Sequence, residues 1–101
     1  MSHPLFPAFR DHVGEVFQLG TLELRLEAVV PFEDGATEGF SLQFAAPVSP
    51  SLGQGIRVLT HPRHGNLELF LVPIQDHRPG RVTYEAIFNR LKTEADLEGG
   101  A

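Results

Sequence analysis

Apolar and polar side chains alternate in the segment TLELRLEAVV, residues 21–30, and this pattern is the clearest indication of how the chain folds. Successive side chains of a β-strand point to opposite faces of the sheet, so an alternating segment forms a strand with one buried face. Val29 is then expected to point outward. The residues expected to face the core are Leu22, Leu24, Leu26, Ala28 and Val30.

Five further segments have the composition of strands. FSLQFA and RVTYEAIFN alternate in the same way, while EVFQL, IRVLTH and NLELFLVPI are rich in β-branched and aromatic residues. The segments between them are short and rich in Gly, Pro, Asp and Ser, which leaves no room for the helices that connect parallel strands. The sequence therefore predicts an all-β, mainly antiparallel fold. A six-stranded barrel or roll is favoured over an open sheet, because closure removes exposed strand edges.

The chain has 101 residues and fits one domain. We expect a single β-barrel-like domain at residues 1–92 that begins with a short helical segment at about 6–13. The residues that follow, 93–101, end in glycines and are expected to form a frayed tail. The helix is predicted from apolar residues at helical spacing, Phe6, Phe9 and Val13.

The net charge of −5, from 8 Lys and Arg against 13 Asp and Glu, disfavours binding to phosphate backbones, and the basic residues form no cluster. No apolar stretch is long enough to span a bilayer, and the first residues lack the features of a secretory signal. We therefore expect no nucleic-acid partner, no membrane partner and a cytoplasmic location. The absence of cysteine excludes disulfides and thiolate chemistry.

The segment HPRHG, residues 61–65, contains two histidines three positions apart, a spacing that resembles half of a metal site. Pro62 disfavours a helix at His61, however, and Pro62 and Gly65 are typical residues of a hairpin turn. In such a turn His64 is expected to point to solvent, and a third metal ligand cannot be placed from the sequence. The structural turn is therefore favoured, and we expect no metal and no other cofactor.

Recognised catalytic motifs are missing from the sequence. The serines lie in no G-x-S-x-G motif, the glycines match no dinucleotide- or phosphate-binding pattern, and the acidic loop at 31–39 lacks the ligand spacing of an EF-hand calcium site. No residue can be assigned a catalytic role. The sequence thus favours a protein without enzymatic activity.

A second apolar surface is predicted on the outside of the sheet. Alternate leucines of the segment 67–71 face the predicted core, so the apolar residues between them point outward and meet others from neighbouring strands. A sheet that is apolar on both faces needs two covers. The favoured cover is the N-terminal helix, through Phe6 and Phe9, and the alternative is a protein partner or a second copy of the chain. The predicted outer face comprises Val29, Leu59, Phe70, Val72, Ile74 and Ile87.

HPRHGNLELFLVPI and YEAIFNRL, together with FSLQFAAP and VGEVFQL, resemble the sequences of an uncharacterised bacterial family of small β-barrel domains. The resemblance extends over most of residues 9–91. It implies the barrel fold and supplies no catalytic residues. It also implies a role in a protein assembly, because proteins of this kind are associated with gene neighbourhoods that encode tail-collar-like phage proteins.

Three functions follow from these observations, in order of preference. The first is a non-enzymatic accessory or protein-interaction module, acting through a protein partner or as a homo-oligomer such as a dimer, in a phage-tail-like assembly or beside one in the genome. The second is a barrel that binds a small apolar ligand, although six short strands enclose little more than their own side chains. The third is a metal-dependent enzyme that uses His61 and His64.

Overall fold

The computed structural model describes residues 5–49, 51–74 and 78–91. In this part of the chain six antiparallel strands close into one barrel with the spatial order β1-β2-β3-β6-β5-β4, which confirms the predicted fold class. A short helix precedes the first strand. The elements are α1 (Phe6–Arg10), β1 (Val16–Leu19), β2 (Leu22–Asp34), β3 (Thr37–Pro47), β4 (Gly55–His61), β5 (Gly65–Ile74) and β6 (Arg81–Leu91).

The helix α1 is shorter than the predicted segment 6–13. A proline in its first turn favours the start of a helix, but the chain leaves helical geometry after Arg10 and turns at Gly14, whose φ of 95° suits glycine. The buried ring of Phe9 lies 5.7 Å from Phe40 and 5.3 Å from Phe88, measured between centroids. Because both partners project from the inner side of the sheet, α1 closes one end of the barrel. The predicted frayed tail, 93–101, lies outside the described residues.

A β-bulge in β2 changes which of its side chains face inward. Leu26 pairs with Phe44, but the next pair is Ala28 with Gln43, so Glu27 is an extra residue in β2. An extra residue reverses the alternation beyond it. Val29 therefore packs against the core, while Val30 is 46% exposed. The predictions that Val29 points outward and that Val30 points inward are both wrong for this reason.

The orientation of β4 corrects a second prediction. Leu59 was expected on the outer face, but its side chain is completely buried in the core. It pairs directly with Leu67 of β5, and residues opposite each other in an antiparallel pair point to the same face. Leu69 and Leu71 of β5 are buried as their alternation predicts.

The interior of the barrel is filled with side chains. At the end opposite α1, the backbone N–H of Leu52 donates a hydrogen bond of 3.1 Å to the hydroxyl of the buried Tyr84. Within the described residues no helix has the length and apolar character needed to cross a membrane. The largest buried apolar residues are Phe9, Phe17, Leu24, Leu26, Phe40, Leu42, Phe44, Leu59, Leu71 and Tyr84.

Candidate functional site

Three histidines and one glutamate meet at the end of the barrel that α1 closes. His12 and Glu15 lie in the turn between α1 and β1, His61 is the last residue of β4, and His64 lies in the hairpin that leads to β5. We call these four residues the His–Glu cluster. It joins two segments of the chain that are far apart in sequence.

Backbone hydrogen bonds hold the first of these segments in place. The N–H of Gly14 donates to the carbonyl of Leu26 (2.7 Å), and the N–H of Leu26 donates to the carbonyl of Glu15 (2.9 Å). The pairing of Gln18 in β1 with Thr60 in β4 then brings the start of β1 beside the end of β4. The sheet itself therefore places Glu15 next to the β4–β5 hairpin.

The carboxylate of Glu15 bridges two of the imidazoles. Nδ1 of His12 donates to Oε2 of Glu15 at 2.9 Å, and Nε2 of His61 donates to Oε1 at 2.7 Å. The other ring nitrogen of His61, Nδ1, accepts a hydrogen bond of 3.1 Å from the backbone N–H of Arg63. This acceptor role places the proton of neutral His61 on Nε2, where it reaches Glu15.

The three imidazoles of the cluster are mutual neighbours. Their ring centroids are 5.0 Å apart for His12 and His61, 4.8 Å for His12 and His64, and 5.0 Å for His61 and His64. Aromatic rings of the core form the walls around them. Phe17 stacks on His61 at 4.5 Å, and Phe9 stacks on His64 at 4.7 Å with nearly parallel planes.

The environment shifts the pKa of two members of the cluster. Hydrogen bonds from His12 and His61 lower the pKa of the Glu15 carboxyl. Burial lowers the pKa of His64, and the charges of His12 and His61 act in the same direction, opposed by Glu15. At neutral pH the cluster therefore presents a carboxylate and an uncharged His64 imidazole, both of which are forms that bind cations.

The position of His64 contradicts its predicted orientation towards solvent. Its ring is half-buried against Phe9, and its Nε2 atom is buried with no hydrogen-bond partner among the residues that the structure describes. Residues 62–64 do form the expected turn, and Gly65 adopts a φ of 69°. The predicted hairpin turn and the histidine cluster are therefore both present, because α1 places Phe9 over the hairpin.

No known sequence motif connects His12 and Glu15 with the histidines of the hairpin. His12-x-x-Glu15 repeats the three-residue spacing of His61-x-x-His64, and this repeated spacing was the available signal. The sequence does not show that these two pairs of residues meet in space. Only the pairing of β1 with β4 shows it. The lack of a third ligand, which argued against a metal site, no longer holds.

The predicted outer apolar face is only partly present. Phe70 and Ile87 are 50% and 59% exposed, and Val72 and Ile74 are half-buried, whereas Leu59 and Val29 belong to the core. The helix does not cover this face, because Phe9 packs inside the end of the barrel. The prediction of an internal cover by Phe6 and Phe9 is therefore wrong.

Two residues of β4 that the prediction omitted are exposed on the same side of the sheet. Ile56 is 59% exposed and Val58 is 46% exposed. Ile56 lies directly opposite Phe70 in the β4–β5 pair, whereas Val58 lies opposite the exposed Glu68, so the three apolar side chains share one face and border a charged residue. We call Ile56, Val58 and Phe70 the β4 surface.

The backbone of β4 is paired unequally on its two sides. Towards β5 it is paired along its whole length, from Gly55–Leu71 to His61–Gly65. Towards β1, the described residues show one pair, Gln18 with Thr60, because β1 ends at Leu19. Residues 55–59 thus form a strand edge that no described strand covers, and Ile56 and Val58 of the β4 surface lie on it.

Comparison with known proteins gives one match. The family model described as Domain of unknown function (DUF6916) matches residues 6–88, which include α1, all of β1 to β5 and most of β6. No curated protein and no solved structure matches the chain.

Proposed function

We propose a function from geometry, because the chain belongs to this family of domains of unknown function and the family assigns no activity. The protein is a non-enzymatic interaction module, and the open edge of β4 pairs with the same edge of a second copy. The observation that carries this proposal is the coincidence of the open edge at residues 55–59 with the exposed side chains of Ile56 and Val58.

Open strand edges offer unpaired N–H and C=O groups to any extended segment, and proteins usually protect them with charged residues or prolines. The outward residues of β4 are Ile56, Val58 and Thr60, none of which is charged. The charged residue between the first two, Arg57, donates a hydrogen bond to the carbonyl of Leu52. The guanidinium also donates a hydrogen bond of 3.1 Å to the carbonyl of Ile56, so it satisfies one backbone acceptor of β4, while the side chains of Ile56 and Val58 stay exposed.

A second copy is the partner that this edge fits. Two β4 edges related by a two-fold axis run antiparallel, and each presents the same apolar side chains to the other. Backbone pairing would satisfy the open edge, and Ile56 and Val58 of one copy would become cross-strand neighbours of the same residues in the other. The surface is small, so we expect a dimer with a dissociation constant in the micromolar range.

Sedimentation equilibrium of the full chain tests this proposal. The chain is expected to dimerise as its concentration rises, and Val58→Lys is expected to remain monomeric, because a lysine at the edge opposes pairing. Val30→Lys is the matched control, since both valines are 46% exposed and Val30 lies on β2, away from the open edge.

Two results would refute the dimer. One is a wild-type chain that stays monomeric at hundreds of micromolar. The other is an equal loss of self-association in Val58→Lys and Val30→Lys. Circular dichroism of both variants verifies that each keeps the strand signal of the barrel.

Self-association at a strand edge suits a component of a larger particle, and the resemblance to domains encoded near tail-collar-like phage proteins supports that role. As part of the same proposal, we expect the assembly to form in the cytoplasm. A fluorescent fusion expressed in the native host checks the location.

A further inference from the structure

We infer that the His–Glu cluster is a binding site for a divalent transition-metal ion of the zinc class, with His12, Glu15, His61 and His64 as its ligands. The site goes beyond the proposed self-association. It would join the turn before β1 to the β4–β5 hairpin and so act as a structural metal site.

The distances between donor atoms bring three of these residues close to the geometry of a shared ion. One ligand atom each from His12, Glu15 and His61 lie within 4.8 Å of one another. Donor atoms bound to the same tetrahedral zinc are about 3.3 Å apart, because each bond is about 2.0–2.1 Å long. The longest separation has to shorten by up to about 1.5 Å to bring these three donors to one ion.

The three imidazole rings are spaced like rings that surround one zinc ion. A ring bound to zinc through nitrogen has its centroid about 3.2 Å from the metal, so two such rings at a tetrahedral angle are about 5 Å apart. The observed centroid separations are 4.8, 5.0 and 5.0 Å. The ring of His64 is as near to the other two rings as they are to each other, but the close group of donor atoms comprises His12, Glu15 and His61, so His64 has to rotate to bring a nitrogen to the ion.

The buried Nε2 atom of His64 supports its inclusion. Buried polar atoms in proteins almost always have a partner, yet this nitrogen has none within the described part of the chain. Stacking on Phe9 fixes the ring beside the other two imidazoles. In the tautomer protonated at Nδ1, this ring would present the lone pair of Nε2 to an ion.

The chemistry of the donor set indicates the class of metal. Three imidazole nitrogens and one carboxylate oxygen suit zinc and related divalent ions, whereas calcium and magnesium prefer several oxygen ligands. Four protein ligands also fill a tetrahedral shell. A filled shell is typical of structural rather than catalytic zinc.

Metal binding requires a tautomer change at His61. A neutral imidazole that binds metal through Nε2 carries its proton on Nδ1, and that atom now accepts a hydrogen bond from the N–H of Arg63. The proton moves from Nε2 to Nδ1, and the contact with Arg63 is lost. We therefore expect the backbone amide resonance of Arg63 to shift markedly when the metal binds.

Calorimetry with zinc tests the site on the tag-free full chain after chelator treatment. We expect one Zn²⁺ per chain with a dissociation constant below about 1 µM. Glu15→Gln keeps the size of a side chain that is 46% exposed and should weaken binding at least about 10-fold. Glu23→Gln, an exposed carboxylate on β2, is the control and should bind as the wild type does.

Cobalt spectroscopy gives a readout that separates loss of a ligand from loss of the fold. Co²⁺ in the wild-type chain should show the strong visible absorption of a tetrahedral ion, and His64→Ala should lose it while circular dichroism stays unchanged. The inference is overturned by any of three results: no stoichiometric Zn²⁺, the same affinity in Glu15→Gln as in the wild type, or a weak octahedral Co²⁺ spectrum in the wild-type chain.

Discussion

The two sides of the barrel differ in how completely their strands are paired. On one side β3 pairs with β6 without a break from Thr37–Leu91 to Pro47–Arg81, and β2 pairs with β3 around one bulge. On the other side β1 and β4 meet at the pair Gln18–Thr60. The first side supplies continuous ladders that hold the fold. The second side, which we call the β1–β4 seam, leaves backbone and side chains accessible.

Both proposed sites lie on this seam. The His–Glu cluster connects its two strands where Glu15 precedes β1 and His61 ends β4. The open edge, residues 55–59, comes just before Thr60, which pairs with Gln18. The two proposed binding sites thus lie on the less completely paired side of the barrel. Substitutions on the two halves should therefore have different consequences.

The largest expected effect is that of Gly39→Ala on the fully paired side. A Cβ atom at this position would lie 2.0 Å from the carbonyl oxygen of Phe88 and 2.9 Å from the ring of Phe32, so β3 and β6 would have to separate. We expect the free energy of unfolding to fall by about 4 kcal/mol or more in urea denaturation.

Gly55→Ala is the matched control on the seam. An added Cβ there meets the flexible side chain of Arg57 at 3.1 Å, and the φ of Gly55 is not positive. We expect a change below about 1 kcal/mol. Equal losses for the two variants would show that the two halves are not packed differently.

A smaller contrast is expected between two leucines that are both completely buried, Leu42 of β3 and Leu59 of β4. Leu42→Ala should cost about 4 kcal/mol of unfolding free energy, near the upper part of the usual range, because β3 is paired on both sides. Leu59→Ala should cost about 2–3 kcal/mol, because β4 can move into the cavity from its open edge. A greater loss for Leu59→Ala in urea denaturation would reverse the proposed order.

The smallest effect is expected at an ion pair beside the bulge. Arg78 donates hydrogen bonds of 2.7 and 2.6 Å to the two carboxylate oxygens of Glu27, but both side chains are partly exposed. Solvent-exposed pairs contribute little, so Arg78→Met should cost about 0.5 kcal/mol. Thermal unfolding at low and high salt checks this, and a loss comparable to that of Leu59→Ala would show that the pair fixes the bulge.

The alternation of side chains was enough to predict the barrel, because period-two patterns depend only on neighbouring residues. It failed at Val29 and Val30, since the bulge at Glu27 has no sign in the local pattern, and at Leu59, whose partner across the sheet had to be known. The His–Glu cluster depends on the same long-range information. Its four residues come from the turn before β1 and from the end of β4 with the hairpin that follows, and only strand pairing brings these segments together.

The bulge has a consequence for how this chain tolerates changes in the length of β2. Removing Glu27 alone would restore strict alternation in β2 and rotate everything after it by half a turn. Val30 and Phe32 would then enter the core, and Val29 would leave it. In this strand the number of residues, more than their chemical type, decides which side chains reach the interior.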